Sequence, residues 1–158
     1  MSIEAVRSYL ALGGLADRIE EFDVSSATVE LAAAALGTEG ARIAKTISLH
    51  GKEDGCVLIV CAGDYKIDNQ KFKARFGFKP RMLSPDEALT LTGHAVGGIC
   101  PFALPEGVAV YLDQSLRRFD TVFPAAGSSN SAVRLSCDEL FDASGALGWE
   151  DVCKSREA

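Results

Sequence analysis

The sequence predicts an α+β fold in which several strands wrap one core. Strand-like and helix-like segments are interleaved without the regular β-α-β alternation of a parallel α/β sheet. A continuous apolar run, "CVLIVCAG" at 56–63, follows an alternating segment, "IAKTISLH" at 43–50, across "GKEDG", the pattern of a hairpin whose second strand is buried. The chain has 158 residues and is 47% hydrophobic, enough for one domain with a substantial core and too short for two of ordinary size. One domain over 1–158 is expected, without repeats, linkers or low-complexity segments.

Each element has its own signal. At 3–12, Ile3, Val6 and Leu10 recur at helical spacing and Gly13-Gly14 ends the pattern. "IEEF" at 19–22 reads as a strand. "SSATVELAAAALG" supplies Ser or Thr caps, an alanine-rich helix over about 28–36 and Gly37 as its stop. After the hairpin, "DNQKFKARFG" at 68–77 reads as a helix closed by Gly77. "SPDEALTLTG" at 84–93 reads as another, with Ser84 as cap, Pro85 in the first turn and Gly93 at the end. "VAVYLD" at 108–113, "FDTVFPAAG" at 119–127 and "SAVRLS" at 131–136 read as strands, and "SCDELFDAS" starts a last short helix.

Composition narrows the function. The apolar stretch near the start is broken by Glu4, Arg7 and Gly13-Gly14, which fits neither a secretory signal nor a membrane span. Cys56, Cys61, Cys100, Cys137 and Cys153 show no C-x-x-C spacing, and only His50 and His94 are available to join them, so no metal site is expected. An odd number of thiols among apolar neighbours suits buried free cysteines in a reducing compartment, and a cytoplasmic protein is expected. A net charge of −6 argues against general nucleic-acid binding, DNA included, which draws on Lys and Arg. Locally the balance reverses: from 66 to 81, Lys66, Lys71, Lys73, Arg75, Lys79 and Arg81 face Asp68 alone. On charge alone, a solvated helix face explains that run somewhat better than a binding surface.

Three clusters are candidates for chemistry. "GHAVGGICPFALPEG" at 93–107 concentrates glycine and proline, residues that control the backbone, around Gly97, Gly98 and Pro101. Main-chain N–H groups in such a turn can converge on an anion or a developing oxyanion; a tight structural turn explains the composition equally well. Cys100 with His94 as base would make a thiol nucleophile, but nothing nearby in sequence supplies an orienting acid or an electropositive setting. Lys45, in a strand with Thr46 beside it, is placed either on a solvated face or at the rim of a pocket where its ammonium meets phosphate. In "AAGSSNSAVRLS" at 125–136, Gly127 permits a sharp turn, and Ser128, Ser129 and Asn130 offer neutral donors and acceptors; a polar hairpin loop would look the same.

Taken together, the "AKT" strand, "TGHAVGGICPF" and "FPAAGSSNSAVRLS", in this order and separation, resemble the YbaK/EbsC family, which is similar to the editing domain inserted in bacterial prolyl-tRNA synthetases. The resemblance runs from the first helix to "LFD". It implies a mixed, barrel-like sheet flanked by helices, and a freestanding aminoacyl-tRNA deacylase that hydrolyses the ester of mischarged tRNA in trans, without cofactor, metal or membrane. It also implies roles. Lys45 would contact the tRNA 3′ end, with Gly97, Gly98 and Pro101 as the loop that binds the aminoacyl carbonyl. Thr46, Ile99, Cys100, Phe102, Gly127, Ser129 and Asn130 would shape the substrate pocket. Ala103 departs from the family, where many relatives carry glycine after "PF"; a positive φ there would strain the turn. The partner implied is aminoacyl-tRNA, and the acidic charge of the chain adds a synthetase that delivers it. A non-catalytic module that binds a nucleotide or aminoacyl group in the same pocket and acts through a synthetase partner is the alternative.

Overall fold

The computed structural model describes residues 2–157. Its chain runs α1 (Ser2–Ala11), β1 (Ile19–Glu21), α2 (Val29–Leu36), β2 (Ile43–His50), β3 (Cys56–Ala62), β4 (Tyr65–Ile67), α3 (Asn69–Phe76) and α4 (Pro85–Thr92). It continues with β5 (Val108–Asp113), β6 (Thr121–Pro124), β7 (Ser131–Val133), β8 (Leu135–Ser136), α5 (Cys137–Ser144), β9 (Trp149–Glu150) and β10 (Cys153–Ser155). Six strands form one mixed sheet, curled into a half-barrel, in the order β8-β6-β2-β3-β5-β9. The β2–β3 hairpin is antiparallel, from Ala44 opposite Ala62 to His50 opposite Cys56, while β3–β5, β5–β9 and β2–β6 are parallel. Two small antiparallel pairs, β1–β7 and β4–β10, close the flanks.

The buried run at 56–62 is buried because it lies mid-sheet with packing on both faces. Side chains alternate along a strand, so Leu58, Val60 and Ala62 join a large core with Val6 and Leu10 of α1, Leu140 of α5 and Cys100 and Phe102. Val57, Ile59 and Cys61 enter a second core with Phe72 of α3 and Val152. Helix ends follow the sequence cues. The Thr28 hydroxyl caps α2, the Asp68 carboxylate accepts from the N–H groups of Gln70 and Lys71, and Ser84 with Glu87 and Ser136 with Glu139 form capping boxes. Glu139 also accepts two bonds from the Arg18 guanidinium at 2.9 Å, tying α5 to the start of β1.

The expected strand at 131–136 is two. Its first part pairs with β1 and its second with β6, and the chain changes sheet at exposed Arg134. The strand expected at 119–127 is confined to Thr121–Pro124: proline has no N–H to continue a ladder. Three short strands, β4, β9 and β10, were not visible as patterns, having two or three residues each. No described helix is long and apolar enough to cross a membrane.

One glycine ties α2 to the sheet. A Cβ on Gly63 would lie 2.1 Å from the Gly40 carbonyl oxygen and 2.7 Å from Val29 Cγ1, so the turn after β3 touches the segment around α2 backbone to backbone. Gly63→Ala is expected to lower stability by at least about 2 kcal/mol. Gly13→Ala, whose Cβ would meet nothing closer than 3.9 Å, serves as control and should leave the unfolding free energy from urea melts within about 0.5 kcal/mol of the parent.

Candidate functional site

The cavity lies at an interruption in the pairing of β2. On one edge β2 is paired to β3 along its length; on the other it meets β6 only at Ile43 and Ala44. Further along, the Leu83 N–H donates to the Ser48 carbonyl at 3.1 Å and the His50 N–H to the Arg81 carbonyl at 2.8 Å. Between these two attachments, residues 45–47 have no neighbouring strand. A cavity of about 360 Å³ fills that place. Its lining includes Ala44–Ser48 as floor, Phe123 at one end, Met82 and Leu83 at the other, and Ser26–Val29 with Ala32 as a wall.

Parity fixes which groups face it. In an antiparallel pair, alternate residues turn their N–H and C=O toward or away from the partner. Ser48 and His50 bond residues 81–83, so they point away from β3, and Thr46, two residues earlier in an unbroken register, points its own N–H and C=O the same way. The Thr46 hydroxyl also lacks a hydrogen bond, the one buried side-chain nitrogen or oxygen among the described residues that does. An unpaired buried hydroxyl costs about 1–3 kcal/mol. Thr46 thus brings three unsatisfied polar groups to one spot.

Two glycine loops close the other side. Residues 95–98 form a turn in which the Gly98 N–H donates to the Ala95 carbonyl at 3.0 Å, and Gly97, with φ +97°, holds the third position, where a type II turn needs a positive φ. Gly97 and Ile99 line the cavity. Among the described residues, no acceptor meets the main-chain N–H groups of Gly97, Ile99 or Cys100. Gly98 does not line the cavity. It lets the loops touch, since a Cβ there would stand 2.8 Å from the Ser128 nitrogen and 2.9 Å from the Gly127 carbonyl carbon. Gly127, at φ +95°, lies as close to Ser2 and Val6 of α1.

Ser129 and Asn130 act through the wall. The Ser129 carbonyl accepts from the Ser26 N–H at 2.6 Å, and the Asn130 side chain donates to the Phe22 carbonyl at 3.0 Å. Both bonds hold the segment that becomes Ser26–Val29. Pro101, Cys100 and Phe102 are buried behind the loop, and the last two belong to the large core. Their side chains do not line the cavity. Ala103 has φ +53°, the positive value that the glycine of many relatives would tolerate without strain; in an L-residue this conformation costs about 1–2 kcal/mol.

Cys100 and His94 do meet, at 3.5 Å, but not as nucleophile and base. His94 Nε2 lies 2.7 Å from the Phe102 carbonyl oxygen, which can only accept, so Nε2 carries the proton and Nδ1 faces the Ser2 hydroxyl. The ring is a staple between α1 and the glycine loop. Burial pushes the Cys100 thiol up to about 12, far from a thiolate.

Lys45 sits at the rim, lining both the cavity and an adjoining groove of about 350 Å³ with Lys66, Asn69 and Pro80. No described carboxylate pairs with it. Asp64 is held below the usual carboxylate range first by Arg118, with Lys45 adding a smaller pull. In the basic run, Lys71 is tied to Asp151 at 2.9 Å and Arg75 to Glu150 at 2.8 Å, which leaves Lys66, Lys73, Lys79 and Arg81 without ion pairs among the described residues. No three His, Cys, Asp or Glu side chains among those residues gather as metal ligands would. The sequence reading did not find the Ser26–Ala32 wall, Met82, Leu83, Val96, Phe123 or Ala125. Only the serines before α2 carried a signal, and it reads as capping.

Burial holds the His94 pKa below its ordinary 6.5, the Phe102 carbonyl opposing this in part. A depressed folded-state pKa means that the unfolded chain takes up the proton first. The contribution of His94 to stability is therefore complete above about pH 6.5 and is lost as pH drops from there toward the folded-state value. His94→Gln should flatten that acid limb in urea melts at pH 5 to 7.5; an unchanged slope would remove His94 as its source.

A sequence model of the aminoacyl-tRNA editing domain matches residues 23–143. The chain is 52% identical over 157 residues, 99% of its length and 100% of the relative's, to "Uncharacterized protein YwhH" of Bacillus subtilis (strain 168). It is 28% identical over 114 residues, 72% of its length and 70% of the relative's, to "Putative Cys-tRNA(Pro)/Cys-tRNA(Cys) deacylase EbsC" of Enterococcus faecalis (strain ATCC 700802 / V583). A crystal structure described as "a putative trans-editing enzyme for prolyl tRNA synthetase" superposes with a TM-score of 0.87 at 28% identity, covering 98% of each chain. With its half-barrel sheet and glycine loops, the chain belongs to the aminoacyl-tRNA editing domain family.

Proposed function

We propose that this protein is a trans-acting aminoacyl-tRNA deacylase of the cytoplasm, removing a small amino acid such as cysteine, alanine, serine or threonine from mischarged tRNA, with tRNA-Pro among the candidate carriers. The observation that carries the reading is the cavity between the open edge of β2 and the Gly97 loop, with unpaired N–H groups on the loop and Lys45 at its mouth. Family membership supports it. A site of this size suits a small acyl group; a synthetase gains only about 1–3 kcal/mol of discrimination per methylene, so a second, hydrolytic sieve is useful.

An ester is already activated, and its hydrolysis needs position more than a nucleophilic side chain. Water adds to the ester carbonyl, whose oxygen becomes an oxyanion facing the free N–H groups of Gly97 and Ile99. The bond from the acyl carbon to the ribose oxygen then breaks, that oxygen takes a proton from the attacking water, and the free amino acid leaves. Preorganised donors of this kind are worth about 2.7–4 kcal/mol each. Lys45 meets the terminal phosphate, and the groove shared with Lys66 leads the strand away from the cavity. The overall acidity makes a synthetase that hands over the substrate part of this proposal.

A deacylation panel of alanyl, cysteinyl, seryl and threonyl esters on several tRNAs tests the reading: at least one should be hydrolysed well above the spontaneous rate, and a silent panel would overturn it. On the active substrate, Lys45→Ala should lower kcat/KM about 10- to 100-fold with unchanged circular dichroism. Cys100→Ala should retain most of the activity, and an acyl-enzyme trapped on Cys100 would contradict the mechanism.

Salt dependence tests the groove. Lys66→Glu combined with Lys73→Glu and Lys79→Glu should raise KM and flatten its dependence on ionic strength, while kcat holds. Lys71→Gln with Arg75→Gln, residues already neutralised by Asp151 and Glu150, should change KM less. Equal effects from the two sets would show that this face does not follow the phosphates.

A further inference from the structure

We propose that the aminoacyl group docks on β2 as a single added residue, with Thr46 as the positioning residue that reads its α-ammonium; this rests on the deacylase reading. The gap in the ladder is one residue deep in hydrogen-bonding terms. Ala44 faces β6 and Ser48 faces Leu83, so between the two attachments only Thr46 turns its N–H and C=O outward. Both attachments contribute to the cavity lining, through Phe123 on one side and Met82 and Leu83 on the other. A ligand filling the place of the missing strand needs a donor and an acceptor spaced as on one residue's backbone, and extended peptides add to open edges by this pairing.

An α-aminoacyl ester carries such a pair, the ammonium and the ester carbonyl. The ammonium donates to the Thr46 carbonyl and to the Thr46 hydroxyl, which no group of the protein satisfies. The carbonyl oxygen, with two lone pairs, accepts from the Thr46 N–H on the strand side and from the loop N–H groups on the other. The rest of the lining offers the ammonium no carboxylate: among the cavity residues the only ionisable side chain is Lys45, a cation. A charged donor in so apolar a site makes hydrogen bonds worth more than neutral ones. The acyl side chain is then left to the apolar part of the cavity around Ala27, Val29 and Ala32, and Thr46 reads what all aminoacyl groups share.

Binding of two non-hydrolysable probes tests this directly, 3′-alanylamido-3′-deoxyadenosine and its isostere 3′-lactylamido-3′-deoxyadenosine, which has a hydroxyl in place of the ammonium. By titration calorimetry the parent protein should bind the alanyl probe at least about 10-fold more tightly than the lactyl one. Thr46→Val, which keeps the shape and removes the hydroxyl, should shrink that ratio several-fold through the alanyl probe alone, and Thr46→Ser should restore it. Equal affinities in the parent, equal losses for both probes in Thr46→Val, or no binding of either would overturn the inference. If the ratio behaves as stated but no mischarged tRNA is hydrolysed, the docking mode stands and the deacylase reading falls. If hydrolysis proceeds with equal affinities for the two probes, the reverse holds.

Discussion

The site depends on one interruption in a hydrogen-bonded ladder. Backbone N–H and C=O groups buried in a protein are nearly always paired, because leaving them unpaired forfeits their hydration with nothing in return. Here β2 is paired on one edge throughout and on the other only at its ends, to β6 through Ala44 and to residues 81–83 beyond Thr46. β6 ends at Pro124, opposite Ala44, and Ser84 turns the chain into α4 just after Leu83 has bonded Ser48. The opening on the edge of β2 is what remains between these two neighbours.

The surrounding structure keeps that opening from collapsing. Neither glycine loop is held by its own sequence alone. The Gly97 loop is pinned from behind by the His94 ring, between the Phe102 carbonyl and Ser2, and touches the second loop where Gly98 has no side chain. The second loop in turn holds the α2 wall through Ser129 and Asn130, and Gly63 presses that wall against the hairpin. Several of the residues that matter most to the cavity therefore never touch it. The strain at Ala103 sits on this same loop, an L-residue in the left-handed region one step beyond the buried Phe102.

Helices and the central hairpin were legible in sequence because their signals are local. Thr28, Asp68, Ser84 and Ser136 cap where short polar residues precede a periodic segment, and Gly37, Gly77, Gly93 and Gly145 end helices at positive φ. The apolar run at 56–62, following an alternating segment across a turn, reads as a buried strand, and it is one. Among the cavity residues, Lys45, Thr46, Gly97 and Ile99 were found through the resemblance of their motifs to a family, and the structure brings these four together. What escaped reading is non-local. That β2 lacks a neighbour at 45–47 depends on β6 and on residues 81–83, both distant in sequence, and nothing in "IAKTISLH" announces it. Ser26, Ala27 and Val29 look like the start of a helix and no more, and Cys100 draws attention as a thiol when it is core packing.

The central claim is that the opening in β2 receives the aminoacyl end of a tRNA. A crystal structure of the protein with 3′-alanylamido-3′-deoxyadenosine tests it most directly. The account predicts the alanyl group between Ala44 and Ser48, its nitrogen within hydrogen-bonding distance of the Thr46 carbonyl, and the adenosine beyond Lys45 in the groove beside Lys66. Density for the probe in another hollow, such as the one lined by Tyr9, Leu12 and Glu139, with the β2 edge left empty, would contradict it.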